Sequence, residues 1–132
     1  MLPDTPHNDI TEQIIGAAMA VHRELGPGLL ESIYLGCLRI ELEERHLPFE
    51  AERALPVVYR GRSFGLSYRL DLIVEGCVLV ELKSVERLLG VHQAQALTYM
   101  RLTGTPAGLL INFNVARLID GVKRLYLQGE RR

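Results

Sequence analysis

The chain has 132 residues, room for one hydrophobic core and too few for two ordinary ones. Hydrophobic residues make up 48% and charged residues 23%, a balance that excludes a disordered chain. Lys and Arg total 15 against 16 Asp and Glu, so a net charge of -1 leaves any nucleic-acid site to the arrangement of charges rather than to their total.

The chain opens on a polar stretch with prolines at Pro3 and Pro6, and a flexible segment is expected over 1–8. It has no basic start followed by an apolar run, so a signal peptide is not expected. No apolar segment approaches the roughly 20 residues that cross a bilayer, and a soluble, cytoplasmic protein is expected. The two cysteines, Cys37 and Cys77, lie in different elements with no CxxC or Cys/His cluster, so they read as reduced, partly buried thiols rather than a zinc site or a disulfide.

Ile10, Ile14, Ala18, Val21 and Leu25 recur at helical spacing and predict a helix over 9–25. Asn8 or Asp9 is the expected N-cap, with Glu12 completing a capping box from Asp9. Gly26-Pro27-Gly28 ends the helix, because proline cannot donate a hydrogen bond and glycine turns freely. A second helix is predicted over 30–46, its apolar stripe formed by Leu30, Ile33, Tyr34, Cys37, Leu38 and Leu42.

The period then changes to that of strands. Residues 55–59 read as a first strand, with Pro56 favouring a sheet edge or a bulge, and Gly61 sits in a tight turn. Residues 68–74 and 77–83 read as two more strands joined at Glu75-Gly76. Their near-continuous Leu, Ile and Val content predicts a sheet buried on both faces. A third helix over 88–102 ends at Gly104, and the most apolar strand covers 107–113. Residues 115–119 and 122–127 read as a weaker strand pair turning at Asp120-Gly121. This succession of two helices, three strands, a helix and further strands describes a single mixed α/β domain over 1–132. The passage from Cys77 to Phe113 is expected to be a right-handed crossover joining parallel strands.

Three charges interrupt the apolar strands where the pattern says inside. Asp71 lies between Leu70 and Leu72, and Glu81 and Lys83 flank Leu82 on one face of their strand. Uncompensated burial of such groups costs several kcal/mol each, on the order given by charge desolvation. One reading is a structural ion pair from Lys83 to either acid. Another is a divalent-cation site, since two converging carboxylates repel unless a cation lies between them, and Mg2+ prefers such oxygen ligands. A lysine beside that site would orient a water. A third reading is a buried ion-pair cluster with Asp71 and Glu81 on opposite sheet faces. Hairpin register separates these. A strict two-residue turn pairs Asp71 with Val80, whereas a three-residue loop, Glu75-Gly76-Cys77, or a bulge pairs Asp71 with Glu81.

Asp71 followed on the next strand by Glu81-Leu82-Lys83, then a helix and a strand, resembles the PD-(D/E)xK nuclease superfamily. Gln95-Ala96-Leu97-Thr98-Tyr99 resembles the QxxxY element of its RecB-type members. Gly28-Leu29-Leu30-Glu31-Ser32-Ile33-Tyr34 matches the motif that names the GxxExxY family of that superfamily. Leu70 stands where the superfamily name has proline.

The resemblance implies a restriction-endonuclease-like αβββαβ core preceded by an extra helix, with a mixed central sheet flanked by helices. It implies Mg2+ or Mn2+ as cofactor, with no organic cofactor, held by Asp71, Glu81 and the Leu82 backbone carbonyl. Lys83 would position the attacking water and steady charge on the transition state. Glu31 has two readings: a helix-dipole partner in a first turn, or the acidic residue that in RecB-type nucleases reaches the metal from an early helix. Tyr34 is either core or a hydrogen-bond partner of Glu31 or a phosphate.

Gln95 and Tyr99 share a helix face with His92 and read either as a polar edge supporting the site or as a solvated face with one core tyrosine. His92 reads as a surface residue. His22 is a candidate support near the end of the first helix, and Arg69 beside Asp71 is a candidate substrate contact. The implied substrate is nucleic acid, DNA before RNA. Aromatics at 6% and no Trp argue against broad aromatic stacking. Arg53, Arg60, Arg62 and Arg69 in the early strands and Arg87, Arg101, Arg117, Lys123 and Arg124 later would bind a phosphodiester backbone if they converge. With so little surface to hold a duplex, a homodimer or a protein partner is expected. The alternative is a catalytically silent nuclease-fold module that binds nucleic acid or protein.

Overall fold

The computed structural model describes residues 7–127, so most of the expected flexible segment at 1–8 lies outside the described residues. Two helices lead, α1 (Asn8–Leu25) and α2 (Glu31–Glu44). Strands β1 (Phe49–Tyr59), β2 (Arg62–Val74) and β3 (Val78–Lys83) follow, then α3 (Gly90–Thr103), β4 (Ala107–Asn112), a 3-10 helix (Leu118–Gly121) and β5 (Val122–Tyr126). The sheet order is β1-β2-β3-β4-β5. Neighbours are antiparallel except β3 and β4, which are parallel because the chain passes through α3 between them. This is the mixed α/β architecture expected, consistent with a restriction-endonuclease-like core.

The sheet separates two packed layers. Leu72, Val74, Val80, Leu109 and Ile111 pack on α1 and α2 through residues such as Ile14, Ala18, Val21, Leu38 and Leu42. Ile73, Leu79, Leu110 and Leu125 pack on α3 through Ala96, Tyr99 and Met100. Residues 107–112 of β4 are all buried, which is why that segment is apolar without alternation.

Three expectations need correction, the third in the β1–β2 hairpin. The first concerns the start of α1, where neither Asn8 nor Asp9 is the cap. The cap position is His7, with a left-handed backbone (φ 58) and no side-chain cap bond. Arg124 from β5 donates to Asn8 Oδ1 at 3.0 Å and to Thr11 Oγ1 at 2.8 Å, so the Asn8 side chain is held by tertiary contact rather than by the helix N–H groups. The second concerns 115–119, which is loop running into the 3-10 helix and not a strand. The Val115 carbonyl accepts a 2.8 Å bond from His22 Nε2 on α1, which holds that carbonyl for the helix layer instead of a sheet ladder. Gly121 then lies so close to the Asn112 carbonyl that any Cβ would collide with it.

The α1–α2 connection is tied down by Tyr34, whose side chain is fully buried. Its hydroxyl donates to the Gly26 carbonyl at 2.6 Å and accepts from the Leu29 N–H at 3.1 Å, while its ring stacks on Phe113 with centroids 4.4 Å apart. Ser84 Oγ donates to the Leu29 carbonyl at 2.6 Å and joins the same loop to the end of β3. Tyr34→Phe keeps the ring and removes both hydroxyl bonds, leaving a backbone donor and acceptor without this partner. It should cost about 1–3 kcal/mol in urea unfolding, and a cost within error would mean that the loop is held by Phe113 and Ser84 alone.

The β1–β2 hairpin is longer than the sequence pattern predicts and begins at Phe49. Its tip is the two-residue turn Arg60-Gly61 (φ 52 and 78), a left-handed pair that matches strand twist. The register shifts between Pro56 and Val58, the irregularity expected of a proline in an edge strand. β2 pairs with β3 only through Leu72, Ile73 and Val74, so from Arg62 to Leu70 it pairs with β1 alone.

Candidate active site

The β2–β3 hairpin has the longer loop. Glu75 and Gly76 are both left-handed (φ 55 and 68), Cys77 is the extra residue, and Val74 pairs with Val78. One more step of the Leu72–Val80 register brings Asp71 opposite Glu81. The backbone ladder stops there and the side chains take over. The Asp71 N–H donates to Glu81 Oε2 at 3.0 Å, and the Leu82 N–H donates to Asp71 Oδ2 at 2.8 Å. The two acids therefore converge, each bonded to the other's strand, and each keeps its second oxygen outside these bonds.

A phase change in β2 accompanies this. Leu72 and Val74 pack with α1 and α2, but Leu70 packs with α3, where strict alternation would place it on the other face. Asp71 lies at the change. Glu52, missing with it from the β1–β2 ladder between the Ala51–Leu72 and Arg53–Leu70 pairs, has a left-handed backbone (φ 55).

Electrostatics mark the same point. Burial raises Glu81 to about 8, the Asp71 charge adds to the rise, and the Asp71 N–H, Lys83 and then Glu31 follow, the first two lowering it and Glu31 raising it. Asp71 is also raised, again by burial first, against the Leu82 N–H bond, and Glu31 raises it further while Lys83 and Arg69 hold it down. Tyr99 on α3 is raised by burial and then by the charges of Glu81, Tyr68 and Asp71. Asp71, Glu81, Lys83, Glu31, Arg69 and Tyr99 thus share one field. Among the described residues Lys83 forms no salt bridge, so an ion pair to either acid does not account for it.

The other sequence candidates are placed as follows. Glu31 is exposed in the first turn of α2, and Gln95 is exposed one turn before Tyr99 on α3. Tyr34 gives its hydroxyl to the α1–α2 loop and not to Glu31. His22 gives Nε2 to Val115. Arg69 pairs with Glu52, which also holds Arg39 at 3.3 Å. His92 accepts from the Leu89 N–H through Nδ1 at 2.9 Å, closing the first turn of α3. Cys37 and Cys77 are free and half-buried.

Sequence reasoning passed over Asn112. It is 2% exposed at the end of β4, in register with Lys83. Its amide reads the Val85 backbone in both directions, accepting from the N–H and donating to the carbonyl, each at 3.0 Å. The Phe113 N–H donates to the Lys83 carbonyl at 2.9 Å beside it. Asn112 therefore fixes the chain as it leaves Lys83. A lone amide closing the apolar run Leu109-Leu110-Ile111 was the available signal.

A model of the PD-(D/E)XK nuclease superfamily matches residues 8–125. The chain belongs to that superfamily. The match takes in both leading helices, the β2–β3 hairpin and β4, and so covers every residue of the cluster. No curated protein and no solved structure matches the chain.

PD-(D/E)XK members are typically metal-dependent. The donor chemistry here fits a hard divalent cation: two carboxylates meet, each with an oxygen outside the bonds to backbone, in a field that disfavours both negative charges. Among the described residues, no three His, Cys, Asp or Glu side chains form one group able to hold a metal. Glu31 acts on the other two acids through its charge.

Proposed function

We propose that the chain is a Mg2+- or Mn2+-dependent nuclease that hydrolyses phosphodiester bonds, in DNA before RNA, and that it belongs to the GxxExxY branch of its superfamily. The observation that carries this is the pair of crossed bonds joining Asp71 to Leu82 and Glu81 to Asp71, which brings two carboxylates together at the end of the β2–β3 ladder, next to Lys83.

The open oxygens of Asp71 and Glu81, with the Leu82 carbonyl, would hold the cation. When bound, it supplies Lewis-acid polarisation of the phosphate and a lower pKa for the attacking water. The chain's own groups do the rest. Lys83 donates an Nζ–H hydrogen bond to the water oxygen, orients the water toward phosphorus and offsets the charge that develops on the phosphate oxygens. Asn112 keeps the backbone at Lys83 in place through Val85. Tyr99 lines the acids with a neutral hydroxyl, since burial and their charges hold its proton on. Gln95 and Glu31 are proposed at the rim, where Gln95 would contact the phosphate and the Glu31 carboxylate would add negative charge beside the cation.

The test is cleavage of supercoiled plasmid and branched DNA with Mn2+, comparing wild type with Lys83→Ala. Cleavage in the wild type that survives unchanged in the variant would remove the mechanism. A second reading has its own observation. Both acids already satisfy backbone donors, so the pair can serve as a closure of the sheet in a module that only binds. Calorimetry with Mn2+ separates the two: heat that vanishes in Asp71→Asn supports the metal site, and no heat with wild type supports the binding module.

A further inference from the structure

We propose that the outer half of the β1–β2 hairpin is an arm that grips a single-stranded segment of nucleic acid leading to the site. The inference rests on the nuclease reading and adds the element that holds the substrate.

From Arg53 to Leu70 the sequence contains four arginines, Arg53, Arg60, Arg62 and Arg69, and no acid. Without these four, the chain's 15 basic residues fall to 11 against 16 acids, so the arm is a positive island on an otherwise negative protein. Arg53 pairs with Glu50 and Arg69 with Glu52 at the base. Arg60 and Arg62 at the tip have no ion-pair partner among the described residues.

The arm also stands clear of the core. From Glu52 to Ser67 no residue is buried, and only Leu55 and Val57 are half-buried. The unpaired side of β2 runs roughly 26 Å from Arg62 to Leu70 at strand rise. A two-stranded ribbon of this kind is marginal alone and calls for a partner. It exposes Val58, Tyr59 (68%), Phe64 (55%) and Leu66. Three of the chain's eight aromatic residues, Tyr59, Phe64 and Tyr68, fall in this short stretch.

Arginines between exposed aromatic rings suit a strand with unpaired bases: the cations meet phosphates and the rings meet base faces. A duplex keeps its base faces stacked and offers the rings nothing equivalent. A second copy of the arm is disfavoured because two positive arms repel and because Pro56 and the register shift spoil the edge for strand pairing. Connectivity favours nucleic acid over an anionic membrane. β2 is one strand from the arm tip at Arg62 to Asp71, so an occupant of the arm lies along the strand that delivers the first acid of the site.

The experiment uses the full chain in EDTA, so that binding is read apart from cleavage. Fluorescence anisotropy follows a labelled single-stranded DNA and the matching duplex over a series of salt concentrations. The wild type should bind the single strand more tightly. Arg60→Ala/Arg62→Ala should weaken it and flatten the slope of log K against log salt by about 1.4, the value for two phosphate contacts to a single strand. Tyr59→Ala/Phe64→Ala should weaken the single strand by about tenfold per ring and leave the duplex unchanged. All four side chains are exposed, so circular dichroism and melting temperature should match wild type.

Single-strand binding that is unchanged in both double variants overturns the arm, and Mn2+ cleavage that still depends on Lys83 would then leave the nuclease reading standing. Equal loss of duplex binding in the aromatic variant overturns the single-strand assignment. Arm variants that dissolve a dimer in sedimentation without changing DNA affinity overturn it in favour of self-association, and arm-dependent capture on phosphatidylserine vesicles without DNA binding does so in favour of a membrane. Arm-dependent DNA binding with no Mn2+ cleavage supports the arm and removes the nuclease reading alone.

Discussion

Glu81→Gln is expected to make the metal-free protein more stable and to abolish its cleavage. Glu81 is 5% exposed, and burial, then the Asp71 charge, lifts its carboxyl from an ordinary 4.5 to about 8. Between those values the folded protein keeps a proton that the unfolded chain releases. Stability is therefore whole below about pH 4.5, falls as pH rises through the window, and stays reduced above about 8. The loss is on the order of a few kcal/mol at its full extent. Glutamine is neutral throughout and its carbonyl can still accept from the Asp71 N–H. In EDTA the variant should melt near wild type at pH 4.5 and on the order of 10 °C above it at pH 8.5. Mn2+ should raise the melting temperature of wild type and leave the variant where it was, because only the charged pair gains by binding a cation. Parallel pH profiles for the two proteins would mean that the carboxylate is not held at a cost. The expected opposition between stability and activity is what a site of converging like charges imposes on its fold.

The parts of this site that were legible in the sequence are those where a local rule and the tertiary fold agree. Charges at Asp71, Glu81 and Lys83 broke an apolar pattern, and the structure brings the two acids together. The three-residue loop was one of two open registers. The sequence could not choose between them, because Cys77 is apolar enough to be either turn or strand, and the choice is made by the left-handed pair Glu75-Gly76. Pro56 announced an edge irregularity and it is there.

Other elements were hidden for physical reasons. β1 starts at Phe49, six residues early, because Glu50, Glu52 and Arg53 lie on an exposed edge and give no apolar signal. The outer part of β2 is exposed on both faces, so no period-2 pattern of burial exists there to be read. Residues 115–119 carry a strand's composition, yet a carbonyl bond from His22, more than ninety positions away, claims Val115. Tyr34 fits the motif and the core stripe equally well in sequence, and only the fold shows its hydroxyl engaged on Gly26 and Leu29. Asn112 gives little local signal because its partner, Val85, is brought to it by the parallel β3–β4 register.

Lys83→Ala is expected to reduce Mn2+-dependent turnover by about a hundred- to a thousandfold, the loss seen when one group that steadies developing charge is removed. Two separable effects contribute. One is the missing ammonium at the attacking water and the phosphate oxygens, which acts only in the transition state and so lowers kcat without weakening substrate binding. The other is electrostatic relief of the acids. Lys83 lowers both Asp71 and Glu81, so its removal lets each carboxyl rise further. The acidic limb of the pH–rate profile should therefore move to higher pH in Lys83→Ala, and part of the lost activity should return as pH is raised. Lys83→Arg separates the two. It restores the charge that holds the acids down, so the limb returns toward wild type, but the planar guanidinium places its donors differently from an ammonium and turnover stays low. A limb that does not move in Lys83→Ala would mean that the lysine is too well screened from Asp71 and Glu81 to govern their protonation, and its role would be confined to the water. A KM that rises while kcat holds would instead place Lys83 among the groups that bind the substrate strand, alongside the arginines of the arm.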